Sequence, residues 1–169
     1  MPLLVRKIDK AKWMQNSAST SEDVSADAIT NCLKTRANAL SVWEVPEDSG
    51  VPDAVVAMAS QFDSLDTIDV VCLCRDDVVN AGLELSSTPG NTALKGFSEN
   101  HRDVVRLKYR TLGVLTDLII ARITTPAVRR YTKTQLIDLL RDAVTSGRVE
   151  ITDLHEGVRR KVSGSRDGV

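Results

Sequence analysis

Acidic side chains follow two predicted strands of the N-terminal half, at the point where each strand ends. Glu44 lies at the end of a strand predicted over 39–45, and Asp76 and Asp77 follow a strand predicted over 68–74. Ligands bind at the carboxyl ends of strands in parallel sheets. Carboxylates gathered there could hold Mg²⁺, which serves hydrolysis and phosphoryl transfer. One hypothesis is therefore a metal-dependent hydrolase or phosphotransferase with these three catalytic residues, although Asp and Glu also form turns and begin helices.

Cysteine and histidine offer little further chemistry in this sequence. Cys72 and Cys74 lie two positions apart in a predicted strand, so both thiols point to one face, and Cys32 lies on a short predicted helix. The only histidines, His101 and His155, are far along the chain and form no zinc or nucleophile–base signature with the thiols. We interpret the cysteines as small buried hydrophobic residues and predict no cofactor apart from Mg²⁺ under the hydrolase hypothesis.

Arginines recur every fourth position in the C-terminal half, at Arg102, Arg106 and Arg110. On a helix this spacing would place the three guanidinium groups on one face, as phosphate binding requires. Neighbouring acids can pair with the arginines, the sequence pI is about 6.1, and aromatic residues make up only 4% of the chain. A nucleic-acid-binding accessory factor is therefore a further hypothesis rather than the preferred one.

The order of the elements that carry these residues predicts an α/β fold. Strand, helix, strand, helix and strand alternate over residues 1–85, which predicts a small sheet of three or four strands with crossover helices. A connector rich in Ser, Thr, Pro and Gly follows at 86–97. Residues 98–169 then predict a helical segment, with one long helix over 98–123 and two shorter helices, packed on the sheet or on a partner.

The two halves of the chain carry opposite charge. Residues 1–85 contain 7 Lys and Arg against 14 Asp and Glu, a net of −7. Residues 86–169 contain 15 Lys and Arg against 9 Asp and Glu, a net of +6. Such asymmetry indicates contact between the halves or with a charged partner.

A broad apolar face on the predicted long helix includes Leu112, Leu115 and Ile119. We predict that these residues form an interface with another protein or with a second copy of the chain, giving a homodimer or a hetero-complex. The preferred hypothesis is thus a non-catalytic interaction protein, such as an accessory subunit or an antitoxin-like or immunity-like protein. Because no apolar run approaches the roughly 20 residues of a membrane span and the cysteines form no disulfide framework, we expect a cytoplasmic protein that binds no membrane.

Overall fold

A single six-stranded antiparallel sheet organises the chain. The computed structural model describes residues 1–17 and 19–164. The strands lie in the order β4-β5-β2-β1-β3-β6, and each neighbouring pair is antiparallel. Their bounds are β1 Leu3–Ile8, β2 Leu40–Val45, β3 Ile68–Cys74, β4 Glu84–Ser87, β5 His101–Val105 and β6 Val128–Tyr131.

Helices cover both faces of this sheet. The described residues form seven of them: α1 Lys10–Met14, α2 Ala26–Cys32, α3 Val51–Ala59, α4 Arg75–Asn80, α5 Tyr109–Ile120, α6 Lys133–Thr145 and α7 Glu156–Ser163. One core joins the first face of the sheet to α3, α6 and α7, and a second core joins the other face to α1, α2, α4 and α5. The molecule is thus a three-layer sandwich with two hydrophobic cores.

Strand β3 shows how one segment serves both cores. All of its residues are buried, with Val70 and Cys72 facing the first core and Val71 and Leu73 facing the second. The near-continuous apolar run predicts a strand covered on both faces, and the structure confirms it. Such runs are typical of parallel sheets, but here an antiparallel sheet is covered on both sides.

The predicted sheet of three or four strands followed by a purely helical segment is wrong. Residues predicted as the first turns of a long helix form β5, which pairs with β2 on one side and with β4 on the other. Arg106 then adopts a positive φ of 56°, and α5 begins only at Tyr109. Residues 128–131 add β6 to the opposite edge of the sheet. The apolar spacing of Val104, Val105 and Leu107 suits a helix, but pairing with distant strands outweighs it.

The proposed division of the chain at 86–97 falls inside this sheet. Residues 88–100 join β4 to β5, which are neighbouring strands. Among the described residues, six ion pairs connect an acid of the N-terminal half, 1–85, with an arginine of the C-terminal half. They are Glu44–Arg102, Asp48–Arg129, Asp53–Arg148, Asp69–Arg130, Asp77–Arg122 and Glu84–Arg106. The opposite charges of the two halves therefore meet within one chain.

None of the helices in the described part of the chain has the length and apolar character needed to cross a membrane.

Candidate functional site

The sheet opens between β1 and β2. Strand β1 pairs with β3 along its whole length, from Leu3 to Ile8, but its pairing with β2 covers only Leu3, Leu4 and Val5. Beyond that point the two strands separate, and a cleft of about 500 Å³ forms, which we call the β1–β2 cleft. Its size lies within the range of roughly 300–1,000 Å³ that is usual for small-molecule sites.

Both layers of the sandwich contribute to the lining of the β1–β2 cleft. Ile8 and Cys32 belong to the second core, whereas Trp43 and Ala57 belong to the first. Charged and polar groups lie between these apolar walls. The lining residues are Arg6, Lys7, Ile8, Asp9, Asn31, Cys32, Trp43, Ala57, Met58, Gln61, Phe62, Asn91 and His101.

Side-chain hydrogen bonds of Arg6 replace the backbone hydrogen bonds at the point where β1 and β2 separate. Its Nη1 donates to the carbonyl oxygen of Ser41 on β2 at 2.9 Å. Its Nε and Nη2 both donate to the carbonyl oxygen of Cys32, at 3.3 and 3.0 Å. Burial lowers the pKa of Arg6 below its ordinary value, and the nearby Cys32 thiol opposes this shift only in part. The guanidinium is therefore a cation in a poorly hydrated position.

No carboxylate neutralises Arg6 within the described residues. Asp9, the one acid among the described residues of the lining, caps α1 by accepting from the backbone N–H groups of Ala11 and Lys12. Lys7, also in the lining, places its Nζ 4.7 Å from the centre of the Phe62 ring. As far as the structure describes the chain, the β1–β2 cleft thus has two cationic side chains against one carboxylate, and that carboxylate already caps a helix.

An aromatic wall closes the side of the cleft near β5. The ring of Trp43 stacks on Phe97, with centroids 5.5 Å apart and an angle of 28° between the planes. His101 meets the same indole edge-on, with centroids 5.1 Å apart. Gly90 packs against both rings so closely that an added Cβ would lie 2.6 Å from the Trp43 ring and 2.6 Å from His101 Cβ. These contacts fix the indole and the imidazole relative to the cleft.

His101 is also held by hydrogen bonds. Its Nδ1 lies 2.9 Å from the carbonyl oxygen of Thr88 and 3.0 Å from the hydroxyl oxygen of the same residue. That hydroxyl donates to Asp103 Oδ2 at 2.8 Å, while Asp103 Oδ1 accepts from the Ser41 hydroxyl at 3.1 Å. A chain of three side chains, on β2, on β5 and in the loop after β4, therefore orients the imidazole.

The three predicted metal-binding carboxylates have other surroundings. Glu44 Oε1 lies 3.0 Å from Arg75 Nε, and its Oε2 lies 2.7 Å from Arg102 Nε. Asp77 pairs with Arg122 at 2.7 Å, and Asp76 is exposed in the first turn of α4. In residues 1–17 and 19–164, no three side chains of His, Cys, Asp or Glu are grouped so as to hold a metal ion. The structure therefore gives Glu44 and Asp77 arginine partners and does not assemble the predicted triad.

The three predicted phosphate-binding arginines do not share a helix. Arg102 lies in β5 and pairs with Glu44, while Arg106 follows the strand and pairs with Glu84 at 3.0 Å. Only Arg110 lies on a helix, in the first turn of α5. The regular spacing of four residues thus spans a strand, a bend and a helix start, and it produces no arginine stripe.

Two of the three predicted interface residues are core residues of the chain itself. Leu115 is 2% exposed and Ile119 is 1% exposed, both within the second core. Leu112 is partly buried against that core. The three cysteines are buried free thiols, as predicted, and burial raises the pKa of Cys72 to about 11.

Sequence reasoning did not find the β1–β2 cleft, although one signal for it was present. Leu4, Arg6 and Ile8 alternate along β1, so Arg6 occupies a position whose neighbours on the same face are buried. A charged residue at such a position must find partners or line a cavity. His101 carried no comparable signal, because its role depends on β5, which was predicted as helix.

Comparison of the chain with models of protein families, with curated proteins and with solved structures finds no match in any of the three.

Proposed function

We propose that the protein is a non-catalytic cytoplasmic binding protein whose partner is a small anion with an apolar body, held in the β1–β2 cleft. The observation that carries the proposal is the Arg6 guanidinium, which lines the cleft without a carboxylate partner among the described residues. Carbonyl oxygens satisfy hydrogen bonds, but they leave the positive charge uncompensated. A bound anion would supply that compensation at a site where burial makes the charge costly.

The hydrogen-bonding capacity of Arg6 supports the same proposal. A guanidinium has five N–H groups, and three of those on Arg6 are used by the carbonyl groups of Cys32 and Ser41. Nη1 and Nη2 therefore keep one N–H each. A bidentate contact with a carboxylate or phosphate uses two such N–H groups. Lys7 adds a second positive charge in the lining.

The walls of the β1–β2 cleft favour an anion that also has an apolar part. Trp43, Met58 and Phe62 line the cleft together with Ala57 and Ile8. Apolar walls with a few placed polar groups are the usual composition of a small-molecule site. The amide side chains of Asn31, Gln61 and Asn91 are further polar groups in this lining.

A small molecule suits the structure better than a protein partner. The two features that favoured a protein partner are satisfied within the chain itself. In the part of the chain that the structure describes, six ion pairs join the charged halves, and Leu115 and Ile119 lie in the core. A cytoplasmic location is supported by three buried cysteines that are all free thiols, which is typical of reducing compartments.

The test uses benzoate as the probe and benzyl alcohol as its neutral counterpart. The chain has two tryptophans, Trp43 in the cleft and Trp13 in the second core, so two indole N–H signals are available to NMR. We expect benzoate to shift the Trp43 signal and to leave the Trp13 signal in place, with benzyl alcohol much weaker. Arg6→Met should abolish the preference for benzoate, whereas Arg160→Met, at an exposed ion pair on α7, should leave it unchanged. Equal binding of both probes by the wild type would refute the proposal.

A further inference from the structure

The hydrogen bonds of His101 define its tautomer. A carbonyl oxygen can only accept, so the 2.9 Å contact between Nδ1 and the Thr88 carbonyl requires a proton on Nδ1. The Thr88 hydroxyl uses its own proton toward Asp103, at 2.8 Å, and so also accepts from Nδ1. In a neutral imidazole the other ring nitrogen, Nε2, then carries a free lone pair.

That lone pair belongs to a residue in the lining of the β1–β2 cleft. Nε2 of His101 has no hydrogen-bond partner in the described part of the chain. Trp43 and Gly90 pack against the imidazole ring, and Thr88 accepts hydrogen bonds from its Nδ1. The imidazole is therefore a fixed hydrogen-bond acceptor in a cleft whose other main polar group, Arg6, is a donor.

We infer that the ligand is an anion that also carries a hydroxyl group, with the anionic group at Arg6 and the hydroxyl donating to His101 Nε2. This inference rests on the proposed function, since it takes the Arg6 site as given and adds a second contact. An aromatic or otherwise flat body between the two groups fits the walls formed by Trp43 and Phe62. The chemical class is thus a hydroxyaryl or hydroxyalkyl carboxylate rather than a simple anion.

The sheet places the two contacts at opposite ends of such a molecule. Val5 pairs with Trp43 on β2, and Trp43 pairs with His101 on β5, so these residues form one row across three strands. Neighbours in an antiparallel row have Cα atoms roughly 4.5–5.5 Å apart, which separates the backbones of β1 and β5 by about 10 Å. Arg6 follows Val5 on β1, so its side chain lies on the opposite face of the sheet, with Leu4 and Ile8. A ligand that reaches both Arg6 and His101 therefore passes through the gap between β1 and β2, and a ring with its carboxylate and hydroxyl in para positions directs one group to each side of that gap.

Two probes of nearly equal size test the hydroxyl contact. The first is 4-hydroxybenzoate and the second is 4-fluorobenzoate, which keeps the anion and the ring but lacks the donor. Because one hydrogen bond contributes roughly a factor of five to affinity, we expect the wild type to bind the hydroxy compound about fivefold more tightly. His101→Phe, which keeps an aromatic ring beside Trp43, should bring the two dissociation constants together. Arg6→Met should weaken both probes and leave their ratio in place.

A spectroscopic measurement on the wild type makes the test independent of any variant. The ¹⁵N chemical shifts of a histidine ring distinguish a protonated from an unprotonated nitrogen. We expect protonated Nδ1 and unprotonated Nε2 in the free protein, and a shift of Nε2 when 4-hydroxybenzoate is added but not when 4-fluorobenzoate is added. If both benzoates bind equally and more tightly than benzyl alcohol, the hydroxyl inference is overturned while the anion site stands. If neither is preferred over benzyl alcohol, both proposals fail.

Discussion

Arg130 on β6 holds Asp69 on the neighbouring strand β3 through two hydrogen bonds. Nε of the arginine lies 2.8 Å from Oδ1, and Nη2 lies 3.0 Å from Oδ2. The two residues are directly opposite in the antiparallel register, and the Asp69 side chain is only 8% exposed. Asp69 Oδ2 also accepts from the backbone N–H of Lys10 at 3.2 Å. One buried carboxylate thus ties the edge strand β6 and the start of α1 to β3, the strand next to that edge.

Replacing Arg130 by Met should lower the free energy of unfolding. The substitution leaves the buried Asp69 carboxylate without its bidentate partner, and an unpaired buried charge is costly. Arg160→Met is the matched control, because the Arg160–Glu156 pair is exposed on α7 and such pairs contribute little. Urea denaturation followed by circular dichroism measures both. An equal effect of the two substitutions would show that the Asp69–Arg130 pair contributes no more than a surface ion pair.

Gly90→Ala should destabilise the protein through a steric clash beside the β1–β2 cleft. The new methyl group would lie 2.6 Å from His101 Cβ and 2.6 Å from the Trp43 ring, and overpacking of this kind costs about 1–3 kcal/mol. The same substitution at Gly113 is the control. There the nearest atom would be Ser21 Oγ at 3.5 Å, and alanine is favoured over glycine within a helix such as α5. Gly113→Ala should therefore leave the denaturation midpoint unchanged or raise it.

The elements that local pattern determines were predicted well. The strand predicted over 68–74 is observed as β3, Ile68–Cys74, and the strand predicted over 39–45 is observed as β2, Leu40–Val45. A capping box between Thr132 and Gln135, a pattern contained within four residues of the sequence, begins α6. In each case the residue types and their spacing within the segment carry the information.

Pairing between strands that are distant in the sequence explains why β5 and the β1–β2 cleft were not predicted. Val104 pairs with Leu40 and with Leu85, and nothing within 98–105 indicates those partners. The β1–β2 cleft depends on the same long-range geometry, since it forms where the register of β1 with β2 ends at Val5 and Trp43. The arginines that looked like a stripe, Arg102, Arg106 and Arg110, were likewise separated by the change from strand to helix.

Leu115→Asp should unfold the protein rather than release a folded monomer from a dimer. Leu115 is 2% exposed within the second core, so the substitution places a charge among apolar side chains without a partner. Tyr109→Asp is the control. Tyr109 is 93% exposed at the first position of α5, where a negative charge is favourable. Far-ultraviolet circular dichroism and light scattering distinguish the outcomes, and a folded Leu115→Asp variant would place this residue at an interface between chains.

The stability of the protein should fall as the pH rises from 9 to 11, partly because of Cys72. Burial raises the pKa of this thiol from 9.0 to about 11. Below pH 9 the thiol is protonated in both the folded and the unfolded chain. Between the two pKa values the unfolded chain loses the proton while the folded chain keeps it, so unfolding becomes easier. Two pKa units correspond to roughly 2–3 kcal/mol at pH 11.

Cys72→Ala removes this contribution and is compared with the wild type at two pH values. Urea denaturation at pH 8 and pH 10.5 gives the loss of stability for each protein, and we expect a smaller loss in the variant. Some loss should remain, because burial also raises the pKa of Tyr131 and the tyrosine acts in the same direction over this range. The Cys72 thiol should also react slowly with iodoacetamide at pH 8, since the thiolate is the reactive form. Equal losses in the two proteins would mean that Cys72 titrates as an exposed thiol.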